Sequence, residues 1–126
     1  MEQSHLTKQQ IAKSIRLVQD QIRWKPNSAV RHLKKRKNRG HLETNATLDT
    51  YHAIIHQVIN AAEAHVYLFH YSEDYPAMVT LLGERHWLVM FSIEGIMETA
   101  FMVKRPNTYL NKSNVEYLGT LEEILT

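Results

Sequence analysis

Ala77-Met78-Val79-Thr80-Leu81-Leu82, Gly83-Glu84-Arg85, His86-Trp87-Leu88-Val89-Met90-Phe91-Ser92-Ile93, Glu94-Gly95 and Ile96-Met97-Glu98-Thr99-Ala100-Phe101-Met102-Val103 together decide the fold class. Three short runs rich in β-branched, aromatic and apolar residues are separated by glycine turns, which reads as a β-meander. The middle run, 86–93, is almost wholly apolar, so it is expected at the sheet centre. Glu94-Gly95 is expected as a two-residue hairpin loop. Upstream, residues 66–71 make one more strand, and Ser72 to Pro76 a loop. The expected sheet is therefore four-stranded and antiparallel.

Before residue 65 the apolar period changes from two to about 3.6. Thr7 is placed to cap a helix running to about Trp24, with Ile11, Ile15, Val18 and Ile22 on one stripe. Lys25-Pro26-Asn27 ends it. Ser28 is placed to cap a second helix to about Asn38, stopped by Gly40. Thr47 or Asn45 caps a third, Leu48 to about Ala64. Pro106 interrupts the chain after the last strand, and residues 121–125 form a short closing helix. Helices followed by a meander give an α+β layout, N-terminal helices packed on the sheet. At 126 residues this is a single domain, with 1–41 helical and 42–126 a helix plus antiparallel sheet.

Charge is segregated. Residues 23–41 hold eight Lys and Arg, two His and no acid, whereas residues 42–126 hold four basic and eleven acidic groups, a net of −7. A block of this kind calls for an anionic partner, and phosphate is the expected one. No cysteine is present, which excludes a disulfide framework and suits a cytoplasmic setting. Residues 1–4 lead into a polar stretch without a signal-peptide core, and no apolar window is long enough to cross a membrane.

Within the basic segment, His32 and Arg36 share one helical face, as do Lys35 and Arg39. An imidazole beside guanidinium groups suits phosphodiester chemistry: one group moves protons and fixed cations hold the phosphorane. His41 lies just past Gly40. On the last strand, alternation places Thr99, Phe101 and Val103 on one face, and Glu98, Ala100 and Met102 on the other. Thr99 can hydrogen-bond a phosphate oxygen, and Tyr109 can stack on a base. His52 and His56 stand at i, i+4, but Ala53 replaces the glutamate of HExxH, so no metal is implied. Glycine-rich phosphate loops and paired-carboxylate motifs are absent, and no cofactor is implied.

The order of these pieces resembles the barnase–EndoU–colicin–RelE (BECR) class of small ribonucleases, especially its bacterial toxin and phage-associated branches. The pieces are Arg31-His32 through Arg39-Gly40-His41, Leu48-Asp49-Thr50-Tyr51, Trp87 to Phe91, Glu94-Gly95, Ile96 to Phe101 and the late Tyr109, spanning about residues 29–118. The resemblance implies a metal-independent endoribonuclease acting on RNA, leaving a 2′,3′-cyclic phosphate. It implies His32 or His41 as the acid/base group, with Arg36 and either Lys35 or Arg39 on the phosphorane. Thr99 would orient the phosphate, and Tyr109 would position a base or assist proton transfer. Arg31, Lys34, Lys35, Lys37, Arg39, Lys104 and Arg105 are the expected RNA-binding cations. A cognate antitoxin or immunity protein is the implied protein partner. The acidic sheet half departs from the pattern. Two other classes stay open: a non-catalytic nucleic-acid-binding module, and an interaction protein (antitoxin, immunity or inhibitor) whose acidic half is the binding surface.

Overall fold

A computed structural model describes residues 7–126; the polar stretch 1–4 lies outside them. Helix α1, Lys8–Asp20, starts at a capping box: Thr7 Oγ1 accepts from the Gln10 N–H (3.1 Å), and Gln10 Oε1 accepts from the Thr7 N–H (2.7 Å). Its stripe, Ile11, Ile15 and Val18, is buried. The helix stops at Asp20, short of Trp24, because Gln21 turns extended (φ −157°, ψ 128°). Arg23–Trp24 then forms a two-residue strand, β1, so Ile22 reaches the core from extended chain.

Helix α2, Ser28–Asn38, is preceded by Asn27 in the left-handed region (φ +66°), with no side-chain cap from Asn27. Ser28 is thus the first helical residue and is buried, not the cap. Helix α3, Leu48–Ile59, is capped by Thr47 and buries Tyr51, Ile55, Val58 and Ile59. It ends five residues before Ala64, whose N–H donates to the Ala61 carbonyl in the turn that follows.

The sheet has six strands rather than four and is mixed. β2 (His65–His70), β3 (Asp74–Leu82), β4 (Arg85–Phe91) and β5 (Ile96–Val103) make the antiparallel meander. β1 adds to β5 in parallel, and β6 (Val115–Thr120) adds antiparallel to β2, in the order β1-β5-β4-β3-β2-β6. β3 starts at Asp74 and takes Pro76 into its ladder. The β4–β5 connection is four residues, 92–95, because Ile93 packs into the core instead of prolonging the strand. Ser92 closes it: its N–H donates to the Ile96 carbonyl (2.8 Å), and its Oγ accepts from the Ile96 N–H (3.1 Å). A single-turn helix, α4 (Pro106–Tyr109), follows β5, and α5 (Leu121–Leu125) closes the chain.

β4 is central and covered on both faces, which explains its apolar run. Trp87, Val89 and Phe91 join the core beneath α1, α3 and α5. Leu88 and Met90 join a smaller one with Phe69, Ala77, Val79 and Val103, edged by Tyr67, Tyr75, Phe101 and Tyr109. No described helix is long and apolar enough to cross a membrane.

Candidate functional site

β1 pairs with Ile96 and Met97, and among the described residues the rest of the outer edge of β5 meets no strand. Side chains from the helical half satisfy it instead. Tyr51 Oη donates to the Ala100 carbonyl (2.5 Å), and the Met102 N–H donates to His41 Nδ1 (3.2 Å). Helix α2 lies along this edge, and between them opens a cleft of about 760 Å³. It is lined by His32, Lys35, Arg36, Arg39 and His41 on one side, and by Glu98, Thr99, Phe101, Met102, Lys104 and Tyr109 on the other. All five expected catalytic residues therefore face one space. Of the expected RNA-binding cations, Lys35, Arg39 and Lys104 line it, Arg105 lines the groove next to it, and Arg31, Lys34 and Lys37 stay outside both.

The end of α2 builds the centre. Gly40 takes φ +75°, and its N–H donates to the Lys37 carbonyl while the His41 N–H donates to the Arg36 carbonyl (2.9 Å). These are the two bonds of a Schellman motif, which returns the chain onto its own last turn. His41 thus comes back to Arg36, whose Nη1 donates to His41 Nδ1 (3.1 Å). With two N–H groups aimed at it, Nδ1 must carry the lone pair, so the neutral ring holds its proton on Nε2. Burial, then Arg36, Lys104, Arg39 and Arg85, lower the His41 pKa to about 4. His41 is 7 % exposed. At neutral pH the ring is therefore neutral, with Nδ1 occupied and the Nε2–H left to donate.

Arg36 is 3 % exposed. Its guanidinium lies 5.5 Å over the Phe101 ring, and Nε has no hydrogen-bond partner among the described residues. The ion pairs among the described residues are both made by His70, so Arg36 has no carboxylate partner there. Burial lowers its pKa, with Arg39 adding to that, yet an arginine starts so high that it stays charged.

His32 sits one turn before Arg36, with Nδ1 3.3 Å from Thr99 Oγ1 and its ring 5.4 Å from that of Trp24. Burial, then Arg31, Arg36 and Lys35, hold its pKa below the usual histidine value. Thr99 meets His32 and so orients an imidazole. Tyr109 packs edge-on against Phe101 (5.7 Å, 84°) and against Phe69 (6.0 Å). Burial, then the neighbouring Tyr71, raise the Tyr109 pKa. The phenol therefore stays protonated, and its ring is held by aromatic packing.

Strand alternation turns Glu98 away from Thr99, so the sequence assigns it no role. The β4–β5 register slips there: Met90 faces Thr99 and Phe91 faces Met97, leaving Glu98 as an extra residue. This bulge lets Met97 and Ala100 both enter the helix-side core and puts Glu98 and Thr99 together in the cleft. Glu98 is the one acid among the cleft-lining residues. The His52–His56 pair takes another role. His52 Nε2 accepts from Trp24 Nε1 (3.0 Å), and no group of three or more potential ligands gathers among the described residues.

No family model, curated protein or solved structure matches the chain.

Proposed function

We propose that the cleft binds a phosphodiester of RNA and cleaves it without a metal, through attack of the adjoining ribose 2′-hydroxyl. The observation that carries this reading is Arg36, buried, without a carboxylate partner among the described residues, and facing a cleft it shares with His32. An unpaired buried cation costs several kcal/mol (), and a bound phosphate offsets that cost by occupying the guanidinium and the orphan Nε. Neutral His32 takes the 2′-proton, oriented by Thr99. The 2′-oxygen closes on phosphorus, and the 5′-oxygen departs in line and draws its proton from solvent, leaving a 2′,3′-cyclic phosphate. Arg36, the His41 Nε2–H, Lys35 and Lys104 hold the charge that develops on the phosphorane.

The test is cleavage of a labelled oligoribonucleotide in EDTA. Cutting by the wild type should fall about 10²–10³-fold in Arg36→Ala, as for loss of one transition-state donor (), and comparably in His32→Ala. Full activity in both variants would reject the site. A second reading, binding of nucleic acid without cleavage, is favoured by one observation: His41 is locked as a donor, so His32 is the one cleft histidine free to exchange protons. Under that reading affinity falls steeply with salt and the strand stays whole. In cells the cleaving reading predicts growth arrest on expression, relieved by His32→Ala or by a cognate neutralising protein.

A further inference from the structure

Beside the Arg36 cleft, and sharing Phe101, Met102, Lys104 and Tyr109 with it, lies a second groove of about 310 Å³. Its walls are mostly apolar, its rim carries Lys104, Arg105 and Lys112, and none of the residues lining it is acidic. Of the four basic groups that residues 42–126 hold against eleven acidic ones, three meet here. Tyr109 lines both spaces. Lys112 stands over its ring, with Nζ 4.5 Å from the centroid. Lys112 is exposed, and no carboxylate pairs with it among the described residues.

We propose that this groove takes the nucleotide next to the phosphate held by Arg36, with its base unpaired and stacked on Tyr109, which makes single-stranded nucleic acid the substrate class. The inference rests on phosphodiester binding in the neighbouring cleft and extends it by one residue of the strand. An apolar slot with an aromatic wall and a cationic rim matches the two halves of a nucleotide, the π-face of the base and the charge of its phosphate. A base inside a duplex has both faces already stacked and cannot offer one to Tyr109. On binding, Lys112 gives up the ring face to the base and moves to the flanking phosphate. A single mononucleotide fills only one of the two spaces, so affinity should rise from a mononucleotide to a dinucleotide.

The experiment measures anisotropy of a labelled 2′-deoxy hexanucleotide, which cannot undergo the 2′-hydroxyl reaction, alone and in a duplex. Wild-type protein should bind the single strand at least about tenfold more tightly than the duplex. Tyr109→Leu, which keeps apolar bulk without a π-face, should lose about tenfold on the single strand and nothing on the duplex, within the range of one lost base stack (). Tyr109→Phe should retain wild-type affinity. Lys112→Ala, at an exposed position, should lower the slope of log affinity against log salt by about one (). Equal binding of single strand and duplex, wild-type affinity in Tyr109→Leu, or no binding by the wild type would each overturn the proposal. Cleavage of oligoribonucleotides separates it from the reading beneath it. If the wild type cuts but Tyr109→Leu cuts and binds equally well, the groove assignment fails and catalysis stands. If the wild type binds through Tyr109 without cutting, catalysis fails and the groove stands.

Discussion

Acidifying the solution from pH 7 to pH 5 should destabilise this protein largely through His41. The ring is buried against Arg36 and Trp87, its Nδ1 accepts two N–H bonds, and its folded pKa lies at about 4 against 6.5 for an ordinary histidine. Folding therefore selects the neutral form. Between pH 6.5 and 4 the unfolded chain binds the proton and the folded chain does not, so stability falls as pH falls. At pH 5 the unfolded state gains a factor of about 30 from this one group, or about 2 kcal/mol (). At pH 7 the same expression gives about 0.2 kcal/mol (), so the drop is close to 2 kcal/mol. The assay is urea unfolding at both pH values, wild type against His41→Asn, whose Oδ1 can accept the same two bonds without titrating. Asparagine leaves space beside Trp87 and should lower stability at every pH; the quantity of interest is the pH slope. His32 and His52, also lowered, and His70, raised by Asp74 and Glu116, act equally in both proteins and cancel in the comparison. The variant should lose about 2 kcal/mol less than the wild type over this range (). Equal losses would refute the assignment of Nδ1 as a buried acceptor.

Replacing Arg36 by Met should leave the melting temperature unchanged or raise it, since a buried charge with no carboxylate partner among the described residues gives way to an apolar chain of similar length. The same variant should lose the phosphate-induced stabilisation of the wild type, about 2.7 kcal/mol at a hundredfold excess over Kd (), as read by thermal shift. The cleavage rate should rise with pH through a midpoint below the ordinary histidine value, because His32 acts neutral and its pKa is lowered; a pH–rate profile of the wild type shows this limb, and a midpoint above 6.5 would refute the role. Gly95 has φ +82°, and a Cβ there would stand 2.6 Å from Leu17 Cβ. Gly95→Ala should therefore cost about 2 kcal/mol or more (), seen as a lower urea midpoint at unchanged slope.

Much of this protein is written in local patterns. The 3.6-residue stripes of α1 and α3, the Thr7 and Thr47 caps, the Gly40 stop and the β2–β5 meander all follow from periodicity and turn residues that act over a few positions. The charge block and the shared face of His32 and Arg36 follow in the same way. β1 and β6 did not. Two residues, Arg23–Trp24, carry no period, and Val115–Thr120 offers a weak one interrupted by Gly119; each becomes a strand only because a finished edge, β5 or β2, supplies its hydrogen bonds. The site divides likewise. Sequence placed His32 and Arg36 together because one helical turn does so, but only the tertiary structure decided that His41 is a locked donor, since that depends on the Met102 N–H sixty-one positions away. The bulge that delivers Glu98 arises from register between two strands, and the lack of a carboxylate beside Arg36 from how the described residues pack. A run of residues can state which charges it carries; which of them are left without a partner is settled by the fold.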